Sequence, residues 1–321
     1  MPFTGKSACM KYLKIIRYPN LVIIVLTQYL LYYCVIRPFY VLENTQPALD
    51  GLHFALLVLS PILIAAAGYV INDCYDTETD EINKPGRVIV GRSIPLETAM
   101  RLFWIMNIAG ILLGFYLSLH VNYLLLGFVF VAVSLMLWFY TIRYQKTVLW
   151  GNLAISLLSA LVILIVWIFE FFALRACPTV YVEAMKVLAT MRNITIAYAL
   201  FAFLLSMIRE ILKDISDVKG DSASGHHTLP VAYGSGNAGA LAAIITGLTV
   251  MAIGAAQYFL YLEGYNLVFW YAMIALQPLT LYLFFQTIRA NSSTDYRFLS
   301  NTAKIIMVAG ILSMQLFCIS V

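Results

Sequence analysis

The chain has 321 residues, 62% of them hydrophobic and only 11% charged, with a mean hydropathy of +0.86. That composition excludes a water-soluble domain and describes a polytopic membrane protein. The net charge of +4 carries no nucleic-acid signature, and five scattered cysteines without a C-x-x-C pair suggest neither a zinc site nor a disulfide framework.

In chain order, a basic amphipathic stretch from Lys6 to Arg17 comes first; the long apolar run after it lacks a small-residue cleavage site, so it does not read as a cleavable signal. Nine near-continuous apolar runs of membrane-spanning length follow, at 18–36, 53–71, 99–118, 123–141, 150–172, 194–210, 237–261, 267–288 and 303–320. The gaps between them are too short for a soluble domain. Residues 1–321 therefore read as one all-α membrane domain of nine transmembrane helices.

The Lys/Arg bias of the loops sets the orientation. With the N-terminus in the cytoplasm, 16 of the 20 Lys and Arg residues fall on that side, and only Arg37, Arg175, Lys186 and Arg192 fall outside. An odd number of spans then puts the C-terminus outside. The protein is expected in the cell (inner) membrane, with its active site facing the cytoplasm.

Two acidic sets share one spacing, D-x-x-D-x-x-x-D: Asp73, Asp76 and Asp80, then Asp214, Asp217 and Asp221, offset by 141 residues. Acids at i, i+3 and i+7 lie within about 60° of one another on a helix, so each set forms a carboxylate face. They follow the second and sixth runs, and both fall on the cytoplasmic side. Gly220 and Gly225 are placed to end the second helix. Lys213 lies one turn before Asp217 and shares its face.

Carboxylate faces of this kind suit a magnesium–diphosphate complex, because magnesium takes oxygen ligands and bridges carboxylates to phosphate. Lys84, Arg87, Arg209 and Lys213 supply cations that a bare metal site does not need. An allylic diphosphate held there would ionise to a carbocation beside apolar walls, steadied by an aromatic face such as Tyr140. The adjacent His226 and His227 read as solvated, and Glu170 as an interfacial residue. Asn20 either caps the first helix or reaches an acceptor.

Asn72-Asp73-x-x-Asp76-x-x-x-Asp80 resembles the first signature of the UbiA superfamily of intramembrane prenyltransferases, and Lys213 with Asp217-x-x-x-Asp221 resembles the second. Arg17-Tyr18-Pro19-Asn20 is similar to the family's R-x-x-N entry to the first helix. Tyr140-Thr141-Ile142-Arg143 followed by Gly151-Asn152 is similar to its Y-x-x-K/R…G-N segment. Thr228-Leu229-Pro230 and Gly234 resemble the tail of the second motif. The resemblance implies Mg²⁺-dependent transfer of a prenyl group from its diphosphate to an acceptor, with substrates drawn from membrane lipid. It implies metal ligation by Asn72, Asp76, Asp80, Asp217 and Asp221, and diphosphate contact by Lys213. Tyr140 and Arg143 would sit at the reacting end. Asp73 and Asp214 would serve the substrate side, with Arg17, Asn20, Lys84, Arg87 and Arg209 binding substrate.

The stretch from Lys213 to Asp221, with its Thr-Leu-Pro tail, is most similar to members acting on geranylgeranylglyceryl phosphate with geranylgeranyl diphosphate as donor. Val88-Ile89-Val90-Gly91 departs from the R-P-x-x-S-G pattern of quinone-pathway members. An aromatic acceptor of quinone or chlorophyll type is the alternative. A divalent-cation transporter is a third reading, disfavoured because the acids cluster at one membrane face among Lys and Arg rather than at the midplane.

Overall fold

Within lipid every backbone N–H and C=O must be satisfied inside the segment, which a helix does. The structure, a computed structural model, describes residues 4–77, 81 and 88–320. Among these, nine helices are long and apolar enough to cross a membrane. Helix α1 (Thr4–Ile15) precedes them. The spans are α2 (Tyr18–Leu42), α3 (Gly51–Tyr75), α4 (Leu96–His120), α5 (Leu124–Ile142), α6 (Trp150–Arg175), α7 (Pro178–Ala223), α9 (Ser235–Leu262), α10 (Asn266–Arg289) and α11 (Ser293–Ser320). A short helix α8 (Leu229–Tyr233) lies between α7 and α9.

Local chemistry accounts for several boundaries. The Asp50 carboxylate accepts from the amides of Leu52 and His53 and starts α3. Ser292 and Asp295 close a reciprocal capping box at the start of α11. Both α2 and α10 contain a widened π turn, Leu31–Ile36 and Ala272–Leu276, just ahead of Pro38 and Pro278. A proline ring blocks the regular i to i−4 bond, and the wider turn absorbs the change in register.

The largest departure from the apolar runs is α7, a continuous helix of 46 residues where the run covers 194–210. Hydropathy marks only the lipid-facing middle; the polar turns on either side stay helical because they pack against α6, α9 and α11. The helix also passes straight through Gly220, and Gly225 takes the left-handed conformation just beyond its end, at φ 71°. Of the two glycines placed to stop it, Gly225 is the one that does.

The helices close into a ring. α3 packs on α2, α4 and α5; α6 packs on α2, α5 and α7; α7 packs on α9 and α11; and α11 returns to α2. Small residues permit the tight crossings. At Gly110 an added Cβ would lie 3.0 Å from the Ser60 carbonyl, and the Ser60 hydroxyl donates to the Gly110 carbonyl at 2.8 Å.

One end of the bundle is sealed by an apolar core that includes Tyr32, Phe54 and Phe169. Tyr32 stacks on Phe54 at 3.9 Å between ring centroids. Glu170, expected at the interface, is fully buried here and accepts from the amides of Ala48 and Leu49 at 2.6 and 3.3 Å. The α2–α3 connection folds inward, and its amides need an acceptor that no neighbouring backbone supplies.

Candidate functional site

At the end of α3, Tyr69 with Asn72 or Asp73, and these with Asp76, stand three or four residues apart, so they cluster on one side of the helix end. The Asn72 amide donates to Asp76 Oδ2 at 2.6 Å, and the Gln145 amide donates to Asp76 Oδ1 at 2.6 Å. Gln145 reaches it from the tight turn Tyr144–Lys146 between α5 and α6. That turn lies flat against the start of α6 because residue 151 is glycine: an added Cβ would sit 2.8 Å from the Tyr144 carbonyl. The next residue, Asn152, donates to Asp214 Oδ2 at 2.7 Å. The Gly151-Asn152 pair therefore ties the turn to the first acidic helix and α6 to the second.

Arg17 stands between α1 and α2 in the left-handed conformation, at φ 50°. This geometry is costly for a residue with a Cβ and persists where other contacts hold it. Here the guanidinium donates to Asp73 Oδ1 at 2.7 Å and lies over the Tyr69 ring. Burial alone would lower its pKa, but the Asp73 carboxylate outweighs that and raises it, so the group stays charged.

On α7, Glu210 is buried and takes two cations, pairing with Arg209 and with Lys213 Nζ at 3.5 Å. An ion partner of Lys213 is thus the acid one turn before it, Glu210. Asp217 accepts from the Ser216 hydroxyl at 3.0 Å and faces Arg297 of α11 at 3.8 Å. Asp221 accepts from Thr228 at 3.3 Å and faces His226 Nδ1 at 3.7 Å. His226, read as solvated, is buried; the chain turns back at Gly225 and brings it against Asp221, leaving His227 exposed.

A cavity of about 330 Å³ joins these elements. Its polar end is lined by Arg17, Asn20, Asn72, Asp76, Tyr140, Arg209 and Lys213 from the sequence analysis, together with Gln145, Glu210 and Lys304. From there it runs between apolar walls that include Ile64, Phe130, Leu137 and Phe201, as far as Tyr198. Deep in the bundle the Tyr198 hydroxyl meets Ser313 Oγ at 2.6 Å.

Not every expected residue reaches this cavity. Arg143 is exposed and does not line it, because the chain tightens after Ile142 and presents Gln145 instead. Asp73 and Asp214 sit behind the wall, held by Arg17 and Asn152. Asp217 and Asp221 lie one and two turns beyond Lys213, toward the end of α7, and outside the cavity wall. Asp80, Lys84 and Arg87 lie outside the described residues.

The sequence reading missed Gln145, Glu210, Lys304 and Arg297 as site residues. Glu210 had a signal, an acid one turn before a lysine in an apolar helix. Gln145 had none. Lys304 and Arg297 read as ordinary positive-inside anchors.

Among the described residues, a helical bundle with this cavity, apolar along its walls and lined at one end by acids, amides and cations, has the build of an intramembrane enzyme. The family model for the UbiA prenyltransferase family matches residues 33–305. The chain belongs to this family and is a prenyltransferase and an integral membrane protein.

Its relatives are consistent with that. The chain is 37% identical over 201 residues to the digeranylgeranylglyceryl phosphate synthase of Methanothermobacter thermautotrophicus, covering 61% of this chain and 63% of the relative, just under two thirds of its length. It is 30% identical to the synthase of the same name from Sulfolobus acidocaldarius, over 80% of this chain and 83% of that one. A solved digeranylgeranylglyceryl phosphate synthase structure shares the fold at TM-score 0.65 and 23% identity, covering 98% of this chain and 100% of its own. A UbiA homologue from Archaeoglobus fulgidus, bound to DMAPP and Mg²⁺, shares it at TM-score 0.55 and 13% identity, over 95% and 99% of the two chains.

Proposed function

We propose that this prenyltransferase moves a geranylgeranyl group from its diphosphate to a lipid acceptor of the geranylgeranylglyceryl phosphate type, with Mg²⁺ as cofactor. The observation that carries the reading is the cavity itself. Asn72 and Asp76 of one acidic helix and Lys213 of the other line it together, along with apolar side chains. The names of the relatives supply the acceptor class.

The donor set fits magnesium. Asn72, Asp76, Asp217 and Asp221 offer oxygen ligands, and Asp217 and Asp221 are buried, where a hard cation would compensate their charge. Asp80, matched by motif, completes the proposed set. When bound, the metal would neutralise the diphosphate and favour its departure. The protein's own groups do the rest. Lys213, steadied by Glu210, takes up charge on the leaving oxygens. Gln145 and Asn72 hold Asp76 in one orientation. Tyr140 presents its ring beside the reacting carbon, and the apolar walls keep water away from it. As the carbon–oxygen bond to diphosphate breaks, the acceptor hydroxyl oxygen bonds to that carbon and its proton passes to the released diphosphate.

The Lys/Arg distribution supports a cytoplasmic active site in the cell membrane, with the N-terminus inside and the C-terminus outside. The test is transfer by purified protein in detergent or nanodiscs, using labelled geranylgeranyl diphosphate, Mg²⁺ and an acceptor panel. Formation of the digeranylgeranyl ether is expected. Transfer only to an aromatic acid would sink the acceptor assignment and leave the prenyltransferase standing.

A further inference from the structure

Among the described residues, four cations line the cavity: Arg17, Arg209, Lys213 and Lys304. Three of them have a carboxylate. Arg17 pairs with Asp73, while Arg209 and Lys213 share Glu210. Among the described residues Lys304 makes no ion pair; its ammonium donates to the neutral side-chain oxygen of Asn20 at 2.7 Å.

The position of that lysine is fixed. One turn earlier on α11, the Ser300 hydroxyl donates to the Arg209 carbonyl at 3.1 Å, which pins α11 against α7 and turns the following face toward the cavity. Lys304 is half-buried there, between α2 and α7. An ammonium in such a place, with an amide oxygen as its partner, is poorly compensated until an anion arrives. The groups proposed above for the diphosphate, Asn72, Asp76 and Lys213, stand on α3 and α7. Lys304 and Asn20 belong to a different pair of helices, α11 and α2.

We propose that Lys304 and Asn20 form the headgroup site for the phosphomonoester of the acceptor, distinct from the groups proposed for the diphosphate. This rests on the lipid-acceptor reading above. The ammonium neutralises the phosphate, and the Asn20 amide, released from Lys304, donates a hydrogen bond to a phosphate oxygen. Selectivity for a phosphorylated acceptor over its alcohol then comes from the cost of leaving Lys304 without an anion.

The experiment measures KM separately for geranylgeranyl diphosphate, for geranylgeranylglyceryl phosphate and for dephosphorylated geranylgeranylglycerol, in wild type, Lys304→Gln, Lys304→Arg and Asn20→Asp. Lys304→Gln is expected to raise KM for the phosphorylated acceptor about 10–100-fold, the value of one charge-assisted contact. The donor KM stays within about twofold, preference for the phosphorylated acceptor collapses, and Lys304→Arg restores part of it. Asn20→Asp is isosteric and supplies Lys304 with a carboxylate, so it is expected to weaken the phosphorylated acceptor in the same way even where Lys304→Gln does not fold. A rise in donor KM instead, or equal losses for both acceptors, overturns the headgroup site. Wild-type transfer to an aromatic acid alone overturns the underlying acceptor reading, a result distinguishable from either.

Discussion

Gln145 donates its side-chain amide to Asp76 Oδ1 at 2.6 Å, reaching from the α5–α6 turn to the end of α3. With Asn72 on Oδ2, it fixes the plane of a carboxylate proposed to hold metal. Supporting contacts of this kind are worth about 10–100-fold in metal affinity or activity. Gln145→Ala is therefore expected to raise the Mg²⁺ concentration for half-maximal transfer by about that factor. An unchanged Mg²⁺ titration curve would show that Asp76 needs no such support.

Lys213 of α7 lines the cavity and pairs with Glu210 at 3.5 Å. Lys213→Gln is expected to lower kcat by on the order of 10²–10³-fold, as for loss of one preorganised charge-stabilising donor. Single-turnover kinetics with saturating Mg²⁺ reads the chemical step directly. A change confined to acceptor KM would place Lys213 elsewhere in the reaction.

Metal removal gives a third check. Chelation by EDTA should abolish diphosphate release, and added Mg²⁺ should restore it in the wild type. In Asp76→Ala and Asp217→Ala, restoration should fail. Normal turnover in both variants would remove the metal role of these acids.

Glu170 separates stability from catalysis. It is fully buried and accepts from the Ala48 and Leu49 amides, with Asn152 some 18 residues away at the other end of α6, about 27 Å along the helix. Glu170→Ala strands the buried Leu49 amide and the part-buried Ala48 amide and is expected to cost about 2–3 kcal/mol. Thermal unfolding in detergent should shift down, while both substrate KM values hold in the protein that remains folded.

Gly310 bears on chain length. A Cβ at this position would lie 2.1 Å from the Phe201 ring, and Phe201 lines the apolar part of the cavity. Gly310→Ala therefore pushes the ring, at a cost of about 1–3 kcal/mol for overpacking. The open space is the cavity, so kcat/KM for geranyl diphosphate should rise relative to geranylgeranyl diphosphate. An unaltered ratio would mean that the ring moves away from the prenyl passage.

The sequence by itself determined the class of fold, since lipid leaves only helices for apolar runs this long. It also carried the second acidic set, Asp214, Asp217 and Asp221, onto one helix, because i, i+3 and i+7 spacing is a property of any helix. The Gly151-Asn152 pair was legible as a motif, though not its reason, which is the close approach of the Tyr144–Lys146 turn. Tertiary structure decided the remainder. Lys213 pairs with Glu210, Arg143 points outward while Gln145 reaches Asp76, and His226 is buried against Asp221. Glu170 is buried because the α2–α3 connection folds over it. Lys304 became a cavity residue only when α11 closed the ring against α2. Helical periodicity fixes which side chains share a face. Which face meets which depends on contacts between segments far apart in the chain, and no local spacing encodes those.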